Sequence, residues 1–296
     1  MSGRDEVILF RGGIWPLAVF VLVMALLPIG LFGPVGRLFP ERSPWVGVGA
    51  TVLGASAIYA LSWGILRWEG LRPANLGLSW AHALPGLLPV VGIWAGVNAL
   101  AAVIGWMTSG TLSPGLLGET SGLLWIATAV EQWLFVGPAE ELGARAYLQN
   151  KLVALVGGGH SRWRKAAGIV AAAALFALWH IPQRLWVQEM PPSQAVLSAM
   201  GVIPIALLFG LLYEVTRNAA FCGLLHGTLN HQPFFFAGLE GPGWLSLATT
   251  LSGLALIAAA IWLYRRWATA QRPADFWPVA MGRRGEALVV TEGLAR

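Results

Sequence analysis

Charge is almost absent from eight long stretches of this chain. Segments 14–36, 44–66, 84–107, 122–151, 165–182, 194–214, 218–238 and 243–264 are apolar over most of their length. A membrane-crossing helix needs about 20 mostly apolar residues. Hydrocarbon offers the backbone no water, so intrahelical hydrogen bonds must satisfy it. A soluble fold of 296 residues could not bury a composition that is 56% apolar and only 11% Asp, Glu, Lys or Arg, where soluble domains carry roughly 25% charged residues. The fold class that follows is all-α: a polytopic membrane protein of about eight transmembrane helices. Segment 122–151 is longer than a span requires and charged in its second half, and 218–238 is short and polar for one. Segment 14–36 lacks a small-residue cleavage site behind a short apolar core and reads as an anchor.

Residues 1–121 hold the first three helices, 122–238 the polar core, 239–264 the last helix and 265–296 a polar, basic tail. With the N-terminus inside, fifteen of the 19 Lys and Arg fall on inner segments and three, Arg37, Arg42 and Arg184, outside; Arg145 lies within a span. That bias places both termini in the cytoplasm. The 19 basic residues against 14 acidic ones suit anionic lipid beside inner loops and give no reason to invoke nucleic acid. Trp45, Trp68, Trp163, Trp244 and Trp267 sit at span ends, where an interfacial belt is expected. The lone Cys222 excludes an internal disulfide, and Asp5 and Asp275, both near the termini, exclude an aspartyl dyad within the membrane.

An ionisable residue inside a span is costly and marks a functional site by default. Span four carries Glu131 and then Glu140, Glu141 and Arg145; span five carries Phe176 and His180; span seven carries His226, Asn230 and His231. Counting from the inner loops at 1.5 Å per residue, Glu140 lies roughly 18 Å deep, His180 roughly 22 Å, His226 roughly 14 Å and Asn230 roughly 20 Å. They share one layer, provided that span four stays helical through Arg145 and does not break at Pro138. Glu141 and Arg145, four apart, are placed to pair, which leaves Glu140 free. His226 and Asn230 share a face, and Phe176 sits beneath His180. A free carboxylate with a His nearby can activate a water, and two further donors can stabilise a tetrahedral oxyanion. Glu140, His180 and His226 are equally a zinc ligand set, and spacing does not separate the two readings.

At these residues the sequence resembles the CAAX-protease and bacteriocin-processing family of intramembrane endopeptidases, which carries EExxxR, FxxxH and HxxxN in that order. The resemblance spans about 122–238. It implies that Glu140 and His180 activate the water, that His226 and Asn230 form the oxyanion hole, and that Glu141 and Arg145 are structural. It favours the glutamic mechanism with no cofactor, zinc being the alternative. It implies a membrane-associated or C-terminally anchored protein or peptide as substrate, in a bacterial inner membrane. Gly143, Ala144 and Ala146 replace the bulkier residues common after the family's Glu pair, a difference that bears on pocket shape.

Rival readings are fewer. No His-Glu dipeptide supports a site-2 zinc protease, and no Gly-x-Ser-Gly supports a rhomboid serine protease. A proton-coupled transporter or a noncatalytic membrane scaffold could use the same polar cluster. The remaining polar residues read as structural. Glu131 is expected to pack or face the outer leaflet, Asn98 to hydrogen-bond between helices, His231 to be a neighbour, and Cys222 to be a small apolar contact. His160 with Arg162, Arg164 and Lys165 reads as a solvated inner loop, and Phe234, Phe235 and Phe236 as lipid-facing or core.

Overall fold

The computed structural model describes residues 7–32, 34, 43–114, 121–159, 161–237 and 243–282. The architecture is all-α, and each of the eight apolar segments contains helix. In chain order the helices are α1 (Trp15–Leu27), α2 (Pro44–Trp68), α3 (Trp80–Ser109), α4 (Gly122–Val130), α5 (Gly137–Glu141), α6 (Asn150–Leu155), α7 (Arg162–Trp186), α8 (Pro192–Met200), α9 (Val202–Thr216), α10 (Ala219–Asn230) and α11 (Gly243–Gln271). Among the described residues, four helical stretches are long and apolar enough to cross a membrane: Pro44–Trp68, Pro73–Ser109, Arg162–Trp186 and Pro192–Thr216. Their outer faces expose Leu53 and Trp63, Leu84, Leu88 and Val91, Val170 and Leu178, and Leu208 and Leu211. Apolar faces of that extent belong against lipid, not water. Trp45, Trp68, Trp163 and Trp267 are exposed as an interfacial belt requires. His160 and the side chain of Trp244 lie outside the described residues.

α4, α5 and α6 form one uninterrupted helical rod, joined by two π-helical stretches, Glu131–Val136 and Leu142–Gln149. The first π stretch answers the question that Pro138 poses. Proline has no N–H and its ring crowds the carbonyl four residues back, here that of Leu134. The wider π turn relieves the crowding, and the Tyr59 hydroxyl from α2 donates to the Leu134 carbonyl at 3.4 Å. The helix therefore passes through Pro138 without a break. α3 uses the same device: Pro85 frees the carbonyl of Ala81, which accepts from Arg272.

The short α10 sits at the centre, packed against α5, the first π stretch, α3 and α9. Its 12 residues span about 18 Å, well short of a hydrocarbon core of about 30 Å. Arg217 turns the chain in the left-handed region at φ 50°. Asn218 then caps α10, its side chain accepting from Phe221 N at 2.8 Å. The Ala219 N–H reaches the Gly77 carbonyl at 2.9 Å, docking the turn onto the segment before α3.

Two small strand pairings tie the ends of the bundle. β1 (Ile8–Phe10) pairs in parallel with β4 (Val279–Met281), and β2 (Ser113–Pro114) pairs antiparallel with β3 (Phe236–Ala237). The first brings residues 8–10 and 279–281 together. The basic tail is accordingly built into the fold up to residue 282. Arg272 Nε binds Asp275 at 2.7 Å, and Asp275 reaches the buried His82 at 3.2 Å. At the same end, the fully buried pair Lys151 and Glu69 joins α6 to the end of α2.

Candidate active site

The site begins with how closely two backbones approach. Gly223 and Gly227 of α10 face the rod at Pro138, Gly137 and Gln132. A Cβ on Gly227 would lie 2.2 Å from the Gln132 carbonyl oxygen, and one on Gly137 would lie 2.1 Å from that of Gly223. Only glycine permits this contact, the small-residue packing that membrane helices favour. It carries His226 to the carboxylates of α5 and Asn230 to Gln132 of the first π stretch.

Glu141 is fully buried and binds two partners. Arg145 Nε lies 3.0 Å from its Oε2, as the four-residue spacing predicts. His226 Nδ1 lies 2.9 Å from its Oε1, a contact between α10 and α5 that spacing along one helix does not reveal. The Arg145 guanidinium also rests 5.0 Å from the centre of the Phe176 ring. Burial of such a charge cluster is tolerated only when each member is paired.

Glu140 stands apart from that cluster. Its side chain is 14% exposed, and its Oε2 lies 3.8 Å from His226 Nε2, beyond hydrogen-bond range. His180, on α7, is set by its own helix. Its Nδ1 lies 2.8 Å from the Phe176 carbonyl, and the Phe176 ring meets the imidazole edge-on at 4.7 Å. A carbonyl only accepts, so Nδ1 carries the proton and Nε2 of the neutral ring presents a lone pair. Phe209 of α9 packs on His226 at 5.2 Å.

Glu140, Arg145, Phe176, His180, His226 and Asn230 all line one cavity of about 440 Å³, walled by apolar residues from the end of α1 and from α2, α7 and α9. The structure therefore brings together the whole set that the sequence singles out, with Glu141 directly behind it. Among the described residues, no cluster of three or more His, Cys, Asp or Glu is gathered tightly enough to hold a metal ion.

Several residues depart from the sequence reading. Glu131, expected to pack or to face the outer leaflet, is packed, but at the cavity wall. It is 5% exposed and lines the same cavity, with Gln132 Nε2 donating to it at 3.0 Å. The π stretch between Glu131 and Glu140 takes more residues per turn than an α-helix and so shifts the face on which Glu131 emerges. Gln132 also accepts from Asn230 Nδ2 at 3.1 Å. Gln183 and Arg184 join the lining from α7. None of these four stands out by spacing, although each is polar within or beside an apolar run. Asn98 does hydrogen-bond, but to the chain after α10: its amide donates to the Pro233 carbonyl at 2.9 Å and accepts from Phe235 N at 2.6 Å. His231 lies against Trp125 at 4.8 Å, outside the cavity lining, and Cys222 is a buried contact. Phe234 packs on Trp94 at 5.3 Å, and Phe235 is exposed.

Neither the curated proteins nor the solved structures match this chain. A family model does match, over residues 121–232, and that segment contains all three motif-bearing stretches around the cavity. Over residues 121–232 the chain is similar to the family described as type II CAAX prenyl endopeptidase Rce1-like.

Proposed function

We propose that the chain is an intramembrane endopeptidase in which Glu140 and His180 hold the attacking water, and His226 with Asn230 receives the oxyanion. The observation that carries this reading is the convergence of those four side chains on one cavity with apolar walls. Glu140 and the Nε2 of His180 both accept, so one water can donate to each and keep its lone pair for a scissile carbonyl. Glu140 takes the proton as the water attacks and delivers it to the leaving amide nitrogen. The water oxygen becomes part of the new carboxylate, and no covalent enzyme intermediate is required.

His226 has a different state. Its Nδ1–H is committed to Glu141. Donation from Nε2 to an oxyanion needs a second proton on the ring, and the adjacent Glu141 carboxylate supports that imidazolium. One half of the oxyanion hole is thus a charged donor, which is stronger than a neutral one. The other half is the Asn230 amide. Water activation in this scheme uses no metal.

The substrate is a protein or peptide with an apolar or lipidated segment, because the cavity walls offer Leu27, Ile58, Val136, Trp179 and Val202 beside the reacting groups. The strand pairings, β1 with β4 and β2 with β3, each join segments an even number of crossings apart in an eight-crossing arrangement, and the Lys and Arg bias puts both ends in the cytoplasm. α10 with the extended residues after it makes the seventh crossing. The test uses purified protein in liposomes and a quenched peptide bearing a farnesylated Cys four residues from its C-terminus. Wild type should cleave it, and Glu140→Gln and His180→Ala should each lower kcat by at least about 10³-fold while inserting and accumulating normally. Retained cleavage in both variants would refute the assignment.

A further inference from the structure

Gln132 stands between an acid and the amide of Asn230. Its Nε2 donates to Glu131 Oε1 at 3.0 Å, and its Oε1 accepts from Asn230 Nδ2 at 3.1 Å. The direction of this chain follows from the chemistry of its ends. A carboxyl oxygen of Glu131 accepts from the amide nitrogen of Gln132 and so holds that nitrogen toward itself. That turns the Gln132 oxygen to Asn230, which must answer with its own nitrogen. One Nδ2 hydrogen is used, and the second stays on the nitrogen, free to donate. An Asn without this constraint could flip and offer an oxygen to a developing oxyanion, which would repel it.

The surroundings anchor Glu131 and Gln132. Glu131 is 5% exposed and hydrogen-bonds Thr51 of α2 as well as Gln132. The Gln132 backbone meets Gly227, three residues before Asn230, at a distance no side chain could share. Trp133 Nε1 donates to the His231 carbonyl at 2.8 Å, just past the end of α10. The π stretch Glu131–Val136 thus grips the C-terminal end of α10 from two consecutive residues, Gln132 and Trp133. Such stretches recur at functional sites.

We propose that Gln132, oriented by Glu131, is a positioning residue that fixes the amide of Asn230 with its nitrogen available to the oxyanion. The proposal rests on the hydrolytic reading above, and a double-mutant cycle on the same farnesylated probe separates the two. Asn230→Ala should lower kcat by about 10²-fold, the usual loss of one oxyanion donor. Gln132→Ala should lower kcat by about tenfold with KM unchanged, and the double variant should be no slower than Asn230→Ala alone. Glu131→Gln keeps an acceptor for Gln132 and should retain most activity, whereas Glu131→Leu should resemble Gln132→Ala. Gln132→Met, which preserves volume, serves where Gln132→Ala fails to accumulate.

Multiplicative losses in the double variant, or an effect confined to KM, would overturn the positioning role and leave the hydrolytic reading standing. Full activity in Asn230→Ala would overturn the oxyanion assignment itself, and an inert wild type would overturn both.

Discussion

His226 Nδ1 lies 2.9 Å from Glu141 Oε1, on a carboxylate whose other oxygen already binds Arg145 at 3.0 Å. One buried acid therefore anchors an imidazole from another helix, and the second residue of the Glu pair is more than a local ion-pair partner. It sets which nitrogen of His226 faces the cavity and balances the charge that the ring must carry to donate there.

Glu141→Gln isolates that role. The amide can still meet His226, but it no longer offsets an imidazolium, so kcat should fall on the order of 10²-fold with KM little changed. Steady-state kinetics on the farnesylated probe, beside a melting curve, make the comparison. Loss of folding without a kinetic defect in the folded fraction would make Glu141 purely structural. Glu141→Ala is a poorer test, because it leaves Arg145 buried and unpaired, at a cost of about 3–5 kcal/mol.

Glycine packing makes a second prediction. Gly227→Ala places a methyl where the Gln132 carbonyl already is, and overpacking of this kind costs about 1–3 kcal/mol. Its thermal midpoint should drop and its activity with it, since α10 can no longer seat His226 against α5. Gly92→Ala, with nothing within 4 Å of its Cβ, should match wild type in both measurements. Equal behaviour of the two variants would remove the close approach as the cause.

The tail makes a third. Arg272 holds Asp275, His82 and the carbonyl that Pro85 leaves open. Arg272→Ala should destabilise by about 1–3 kcal/mol, the cost of leaving buried polar groups unpaired. Initial rates at low temperature should be unaffected, because the clasp is remote from the cavity. Adding Pro85→Ala restores an N–H for the Ala81 carbonyl and should recover part of the lost midpoint.

Metal dependence gives a fourth. Incubation with EDTA followed by removal of the chelator should leave the rate within about twofold of untreated enzyme, since the water is activated by two side chains. Loss of activity that zinc restores would establish the metal mechanism instead.

Much of this site was legible in the sequence, for a physical reason. Charge within a span is so costly that each instance identifies itself, and Glu140, His180, His226 and Asn230 do share one cavity. Four-residue spacing gave the Glu141–Arg145 pair and the seat of His180 on Phe176. What spacing could not give is contact between helices, such as His226 with Glu141, or a change of helical phase. The place of Glu131 on the cavity wall was hidden because the π stretch shifts the face on which it emerges. The order of residues 272–282 was likewise hidden, since a short strand pairing and a proline-freed carbonyl leave little trace in a polar run.

The most direct measurement is a density map of the Glu140→Gln protein holding an uncleaved farnesylated peptide, at a resolution that shows ordered water. The expected map has one water within about 2.6–3.2 Å of both residue 140 and His180 Nε2, with the scissile carbonyl oxygen turned to His226 and Asn230. A carbonyl bound on the far side of the cavity, or a water held by neither residue 140 nor His180, would contradict the mechanism.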